Sequence, residues 1–287
     1  MKNIKRISPL EDKFLQRTTV IDNPAKCLWY VGTIPKPAPT VAIVGSRKPT
    51  SYGREVSSRL VYELAKHGVI IVSGLAIGHD ALAHRTCLEA GGTTVAVIGN
   101  GLENPHPRTN HALAERIVER GGAIISEYEP DAPVYKENFL QRNRLISALA
   151  DIVIVIEAGE HSGTLNTASH AIEQGKEVMA VPGNVTSPLS VGCNRLIAQG
   201  AAPILSSQDV LDHLGIRHEL EEQKTSKIRF DSPESQKVYD LILSGEHDGD
   251  RLVELSGLDP AEFTTALTML ELNAYIQPLG GNQWGLK

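Results

Sequence analysis

From residue 41 the chain alternates between two patterns. Short apolar runs rich in Val and Ile, with little polar alternation, fall at 41–44, 69–72, 93–98, 123–126, 152–156, 177–181 and 202–205. Between them lie longer stretches with apolar positions at helical spacing, at 52–67, 79–90, 109–120, 141–149, 163–174, 190–199 and 207–214. Strands without polar alternation are buried on both faces. Strands alternating with helices build a parallel sheet wound in both directions. Gly68, Gly91-Gly92, Gly121-Gly122, Gly175 and Gly200 each close a helix just before a strand, where glycine adopts the left-handed cap at least cost. The fold class is therefore α/β, a doubly wound parallel sheet over 41–217. Residues 1–40, with Pro35, Pro37 and Pro39 near their end, read as an irregular lead-in.

The pattern changes after 217. Residues 218–229 are polar and read as a linker. Helical spacing returns at 233–243, at 250–256 and at 260–272, where Phe263, Leu267 and Leu270 form one stripe. Segments 274–277 and 283–286 flank Gly280-Gly281-Asn282 and predict a hairpin. Three helices and a terminal hairpin make a winged helix over 230–287.

Four glycine-containing turns fall where a strand gives way to a helix. They are Gly45-Ser46-Arg47, Ser73-Gly74-Leu75, Gly99-Asn100-Gly101 and Ser162-Gly163-Thr164. In an open α/β sheet the carboxyl ends of the strands form the ligand edge. Glycine lets backbone amides approach an anion there, and the following helix N-terminus favours negative charge. Arg47 and Lys48 add cations, and an arginine can grip phosphate with two prongs. Phe139 with Arg142, Asn143 and Arg144 opens a predicted helix, with an aromatic face for a base and arginines for phosphate. Asn194, in Gly192-Cys193-Asn194-Arg195, repeats the small-residue theme. Each feature also has a structural reading. Ser162 suits an N-cap, Asp80 a cap or a loop anchor, His84 the core or the surface, and one of the arginines an internal ion pair.

Other chemistry is not signalled. The first loop is neither GxGxxG nor GxxxxGK[ST], and there is no GxSxG, no HExxH and no paired-carboxylate motif. No catalytic residue, metal site or cofactor is expected. Cys27, Cys87 and Cys193 are few, odd in number and far apart, so they read as incidental thiols. No run of about 18 apolar residues offers a membrane span, and the start lacks a signal-peptide core, so the expected location is the cytoplasm. Net charge is −6, and it is unevenly spread. Residues 228–287 carry four basic and ten acidic side chains, leaving the first 227 balanced. The large domain can hold a basic patch. The tail is poorly suited to a polyanion, and its third helix, with Glu262 and Glu271 and no Lys or Arg, is expected to meet protein rather than duplex DNA.

The order and spacing of these segments resemble the DNA-processing protein A family (DprA, also called Smf). The resemblance rests on Val41-Ala42-Ile43-Val44-Gly45-Ser46-Arg47, Ser73-Gly74-Leu75-Ala76, Asp80, Ala83-His84, Ser126-Glu127-Tyr128, Arg142-Asn143-Arg144, Ser162-Gly163-Thr164, Ala180-Val181-Pro182-Gly183 and Gly192-Cys193-Asn194, and covers about residues 20–287. It implies an extended Rossmann-like domain that binds single-stranded DNA, forms a homodimer, and helps load the RecA recombinase in natural transformation, without catalysis. The contacts it implies are the Gly45-Ser46-Arg47 loop, the Ser73-Gly74 turn, Phe139, Arg142-Asn143 and the Ser162-Gly163-Thr164 helix start. The helical domain that many members carry before residue 20 is not expected here. The family usually has arginine where Ile77 stands and isoleucine where His79 stands. That exchange predicts weakened or rerouted phosphate contact, with His79 a partial substitute at low pH. His106 and Leu140 also depart from a usual tyrosine and proline. The competing reading is an enzyme of the LOG-type nucleotide phosphoribohydrolase kind. That family carries PGGxGTxxE at a similar helix start, but here Gly163-Thr164 is followed by Leu165, Asn166 and Thr167 without the acid.

Overall fold

The computed structural model describes residues 3–216, 230, 232–273 and 275–286. The chain divides into two compact units, Met1–His218 and Glu219–Lys287. The predicted linker at 218–229 lies outside the described residues.

The first unit is built on nine strands among the described residues. They are β1 (Lys5–Ile7), β2 (Leu28–Gly32), β3 (Thr40–Val44), β4 (Ile70–Ser73), β5 (Thr94–Ile98), β6 (Ala123–Ser126), β7 (Ile152–Val155), β8 (Glu177–Ala180) and β9 (Ala202–Pro203). Their spatial order is β1-β2-β6-β5-β4-β3-β7-β8-β9. From β6 to β9 every pairing is parallel. The chain winds outward from β3 through β4, β5 and β6, then returns to the other side of β3 with β7. Loops leaving β3 and β7 therefore diverge, and a crevice opens at their carboxyl ends, the switch point where ligands bind in such sheets.

The lead-in is not irregular. β2 pairs antiparallel with β6, and β1 with β2. The reason is local: Leu28-Trp29-Tyr30-Val31 is itself an apolar run, and it covers an edge of β6 that would otherwise stand open. The prolines that suggest disorder follow β2, in the connection to β3.

The parallel strands β3 to β8 each feed two cores. In β3, Ala42 and Val44 join one buried cluster while Val41 and Ile43 join another, as period-two alternation requires. Helix α1 (Ser51–Lys66) covers the second cluster with Leu60, Val61 and Leu64. Helix α2 (His79–Glu89) follows β4, and α3 (His111–Glu119) follows β5 after a short 3-10 turn. Helices α4 (Lys136–Leu149) and α5 (Gly163–Glu173) cover the first cluster, joined by Cys193 and Leu196 of α6 (Val191–Ala198). Helix α7 (Ser207–His213) closes the unit with a capping box from Ser206 and Asp209. Two boundaries differ from the sequence pattern. β9 is shorter than 202–205, because Ser206 starts a helix cap. Helix α4 begins five residues before 141, since Lys136-Glu137-Asn138 extend it back to a cap at Tyr135.

The second unit is the predicted winged helix. It comprises α8 (Pro233–Leu243), α9 (Gly249–Ser256) and α10 (Pro260–Leu272), then the antiparallel hairpin β10 (Ile276–Gly280) and β11 (Gln283–Leu286). Val238, Ile242, Leu252, Phe263, Leu270 and Ile276 form its core.

Candidate functional site

A cleft of about 740 Å³ opens at the β3–β7 switch point. Its wall takes Gly45, Ser46 and Arg47 from the loop after β3, and Ser162, Gly163 and Thr164 from the start of α5. Helix α4 adds Lys136, Phe139, Arg142 and Asn143. The earlier start of α4 matters here. Phe139, Arg142 and Asn143 are spaced i, i+3 and i+4 within one helix and so share a face.

The polar groups of the cleft are distinct in kind. Ser162 caps α5, its hydroxyl accepting from the Thr164 amide at 3.2 Å and donating to the Thr164 hydroxyl at 3.0 Å. The cap leaves the Gly163 amide at the positive end of the helix. Arg47 and Lys136 are exposed and have no hydrogen-bond or ion-pair partner among the described residues. Lys136 is the first residue of α4, the end at which the helix dipole disfavours a cation. A bound anion would relieve that repulsion. The sequence pattern misses Lys136 because the helix it predicts starts after that residue.

Arg142 belongs to a different layer. It is buried, and Nη1 donates to the carbonyls of Gly74, at 2.8 Å, and Val97. Nε donates to Asn143 Oδ1 at 3.3 Å. Burial lowers its pKa to about 10, against the field of Asp80. Asp80 in turn accepts from the amides of Gly74 (3.1 Å) and Ala76 (3.3 Å), and burial raises its pKa. Of the two structural roles offered by its sequence, Asp80 takes that of loop anchor. A side chain at Gly74 would place its Cβ 2.6 Å from Arg142 Nη2 and 2.7 Å from Asp80 Oδ2, so only glycine fits. Arg144 is also internally paired, with Glu127 at 2.5 Å. Asn143 reaches across to Asn166 of α5 at 3.2 Å.

Four predicted residues do not line the cleft. Lys48 is exposed beside it, its amide bonded to Ser46 Oγ at 3.1 Å. Ser73 is fully buried and donates to the Ile43 carbonyl at 2.6 Å, tying β4 to β3. Gly74 borders a smaller recess of about 110 Å³ shared with Arg47, Ile77, His106 and Phe139. Asn194 spans the backbone of Gly183, accepting from its amide at 3.2 Å and donating to its carbonyl at 3.0 Å.

Phe139 stands at the rim, tilted against His106 at 5.8 Å between ring centres. Val134 and Leu140 of the cleft wall are exposed, as is Ile77 of the recess that Phe139 also borders. The expectation for His79 is corrected. It is fully buried, with Nε2 at 3.0 Å from Glu157 Oε2, and burial lowers its pKa. It cannot act as a low-pH cation at the surface. His84 is likewise in the core, with Nδ1 at 2.7 Å from Thr94 Oγ1.

Among the described residues, no group of three or more His, Cys, Asp or Glu side chains is placed to hold a metal ion. The thiols of Cys87 and Cys193 are buried, and burial pushes both up to about 12. No helix among the described residues is long and apolar enough to cross a membrane.

Comparison with known proteins agrees with this architecture. Residues 5–215 match the family model of DNA recombination-mediator protein A, and residues 222–282 match that of the DprA winged helix domain. The chain is 39% identical over 249 residues to Protein Smf of Escherichia coli (strain K12), a match covering 84% of this chain and 66% of that protein. It is 42% identical over 178 residues to DNA processing protein DprA of Bacillus subtilis (strain 168), covering 62% and 60%. The chain thus spans less than two thirds of the length of these curated relatives. Among solved structures, DNA processing protein A from Streptococcus pneumoniae aligns with a TM-score of 0.66 at 36% identity, covering 74% of each chain. The Helicobacter pylori protein, solved for its single-stranded DNA binding mode, aligns with a TM-score of 0.66 at 32% identity, covering 74% of this chain and 95% of that one. With both of its units matched, this chain belongs to the DNA recombination-mediator protein A family.

Proposed function

We propose that this protein is a single-stranded DNA-binding recombination mediator that holds the strand in the β3–β7 cleft and does no chemistry on it. The observation that carries the reading is the meeting of Arg47, Lys136 and Phe139 on one cleft: two cations without internal partners and one aromatic face. Phosphate takes the two cations and the α5 start. A base stacks on Phe139, which is tolerant of sequence. The single-stranded DNA binding of the Helicobacter pylori relative supports this choice of ligand. The finer role is proposed from the family resemblance. The protein covers incoming single strands and helps load RecA during natural transformation, as a homodimer formed through the large unit, in the cytoplasm. Fluorescence anisotropy with a labelled oligothymidine tests the binding. A strand-protection and RecA-loading assay tests the role. Equal affinity for single-stranded and duplex oligonucleotides would count against the reading.

The phosphoribohydrolase alternative gains nothing at the site. The position that would carry its carboxylate holds Thr167, a buried residue on the cleft wall. A hydroxyl cannot exchange a proton near neutral pH as a carboxylate does.

The winged helix is proposed to meet protein. On α10 the hydroxyls of Thr264, Thr265 and Thr268 are turned back onto carbonyls one turn earlier, at 2.7–2.8 Å. The exposed face keeps their methyl groups, Met269, Leu272, Glu262 and Glu271. Duplex binding by an isolated 228–287 fragment at physiological salt would overturn this assignment.

A further inference from the structure

We propose that Glu157 is the positioning residue of the Arg47 loop, holding it in place without contacting the strand. The proposal rests on the reading of the cleft as a strand-binding groove. Glu157 follows β7, is buried, and is not part of the cleft wall. It nevertheless grips both ends of the loop over 45–50. Its carbonyl accepts from the Ser46 amide at 2.9 Å. Its carboxylate accepts from the Thr50 hydroxyl at 2.5 Å and from the Thr50 amide at 3.0 Å. Arg47 and Lys48 lie between these two anchors.

The same carboxylate accepts from His79 Nε2 at 3.0 Å, and the His79 amide donates to the Ser46 carbonyl at 3.3 Å. Thr50 passes the hold on to α1, since its hydroxyl accepts from the Gly53 amide at 3.0 Å as the helix cap. One buried acid thus ties together the loop after β3 and the starts of α1 and α2.

Three glycines are shaped around it. A Cβ at Gly53 would fall 2.3 Å from the Glu157 carboxyl carbon, one at Gly45 would fall 2.6 Å from the His79 ring, and one at Gly78 would fall 2.4 Å from the Ser46 carbonyl oxygen. Gly78 also has a φ of +87°, which other residues rarely adopt. The fit leaves the loop little freedom to stand elsewhere.

Position and charge make opposite predictions here. A carboxylate behind a polyanion groove repels the ligand, so an effect through space makes Glu157→Gln bind more tightly. A positioning role makes it bind less tightly, because an amide cannot accept from all three donors. The experiment measures oligothymidine affinity of the full chain by anisotropy across a salt series, for wild type, Glu157→Gln, Thr50→Val, Arg47→Ala and the two double variants with Arg47→Ala. Thermal melts confirm folding, and Thr50→Val leaves the buried acid in place should Glu157→Gln fold poorly. Expected is a loss of roughly tenfold for either single variant, the worth of one charged hydrogen bond to phosphate. Most of that loss should vanish in the Arg47→Ala background, because the loop's cation is already gone. Unchanged or tighter binding by both single variants overturns the proposal, as does an equal loss with and without Arg47. If wild type ignores the oligonucleotide, or Arg47→Ala has no effect, the cleft reading falls and this proposal falls with it.

Discussion

Arg142 donates from Nη1 to the carbonyl of Gly74 at 2.8 Å, so a cation that the sequence offers to a ligand is bonded into the wall of the cleft. With Val97 also bonded and Asp80 nearby, Arg142 ties together the ends of β4 and β5 and the start of α2. Arg142→Ala is therefore expected to lower stability by about 3 kcal/mol, because two carbonyls lose a donor and a buried carboxylate loses its counter-charge. Arg142→Lys should recover little of this, since an ammonium lacks the planar fork. Urea denaturation checks both. A fully stable Arg142→Ala that binds weakly would instead make the residue a ligand contact.

Much of this site is legible locally, and the rest is not for a physical reason. Gly45-Ser46-Arg47 and Ser162-Gly163-Thr164 announce themselves because the turn, the glycine and the following helix are contiguous. Lys136 is hidden by a helix boundary with no side-chain cap to mark it. Glu157 carries no local signal at all, since its partners stand 107 and 78 residues away in sequence. The difference between Arg47 and Arg142 is also invisible, because burial is a property of the packed helix and not of the Arg-Asn-Arg motif. β2 shows the converse: its apolar run is present in the sequence, but the prolines after it point to a loop.

Arg47 and Lys136 should behave as phosphate contacts. Each alanine substitution is expected to leave the melting temperature nearly unchanged, because neither side chain has a partner to lose. Each should also reduce the salt slope of oligothymidine binding by about 0.7, the counterion release for one single-strand phosphate. Anisotropy titrations at several salt concentrations measure this. An unchanged slope in both variants would remove them from the interface.

Phe139 should show the opposite signature. Phe139→Ala is expected to weaken binding by about 1–3 kcal/mol, the worth of one stacked base, with no change in salt slope. Phe139→Trp should bind at least as well as wild type and report contact through fluorescence quenching by the oligonucleotide. If the added indole emission of the Phe139→Trp variant were indifferent to saturating oligothymidine, the bases would have to lie elsewhere.

Two buried histidines should draw stability from the large unit as pH falls below 6.5. His84 is buried, and desolvation, helped by Arg142 and Arg85, lowers its pKa from 6.5 to about 3. Burial also lowers His79, against the pull of Glu157. In the unfolded chain both histidines take up a proton near pH 6.5; in the folded one His84 does so only near pH 3, and His79 at a lower pH than when unfolded. Their contribution is therefore complete above pH 6.5, and that of His84 is lost progressively as pH falls from 6.5 towards 3. The slope is at most about 1.4 kcal/mol per pH unit for each histidine. Asp80 acts in the other sense, since burial raises its pKa and protonation then favours the fold. Urea midpoints measured at pH 7.5, 6.5 and 5.5 should fall more across the second interval than across the first. His84→Gln, which can keep the bond to Thr94, should make that fall shallower. A wild-type midpoint that stays level to pH 5, or a His84→Gln slope as steep as wild type, would show that His84 is protonated as readily in the folded protein as in the unfolded chain.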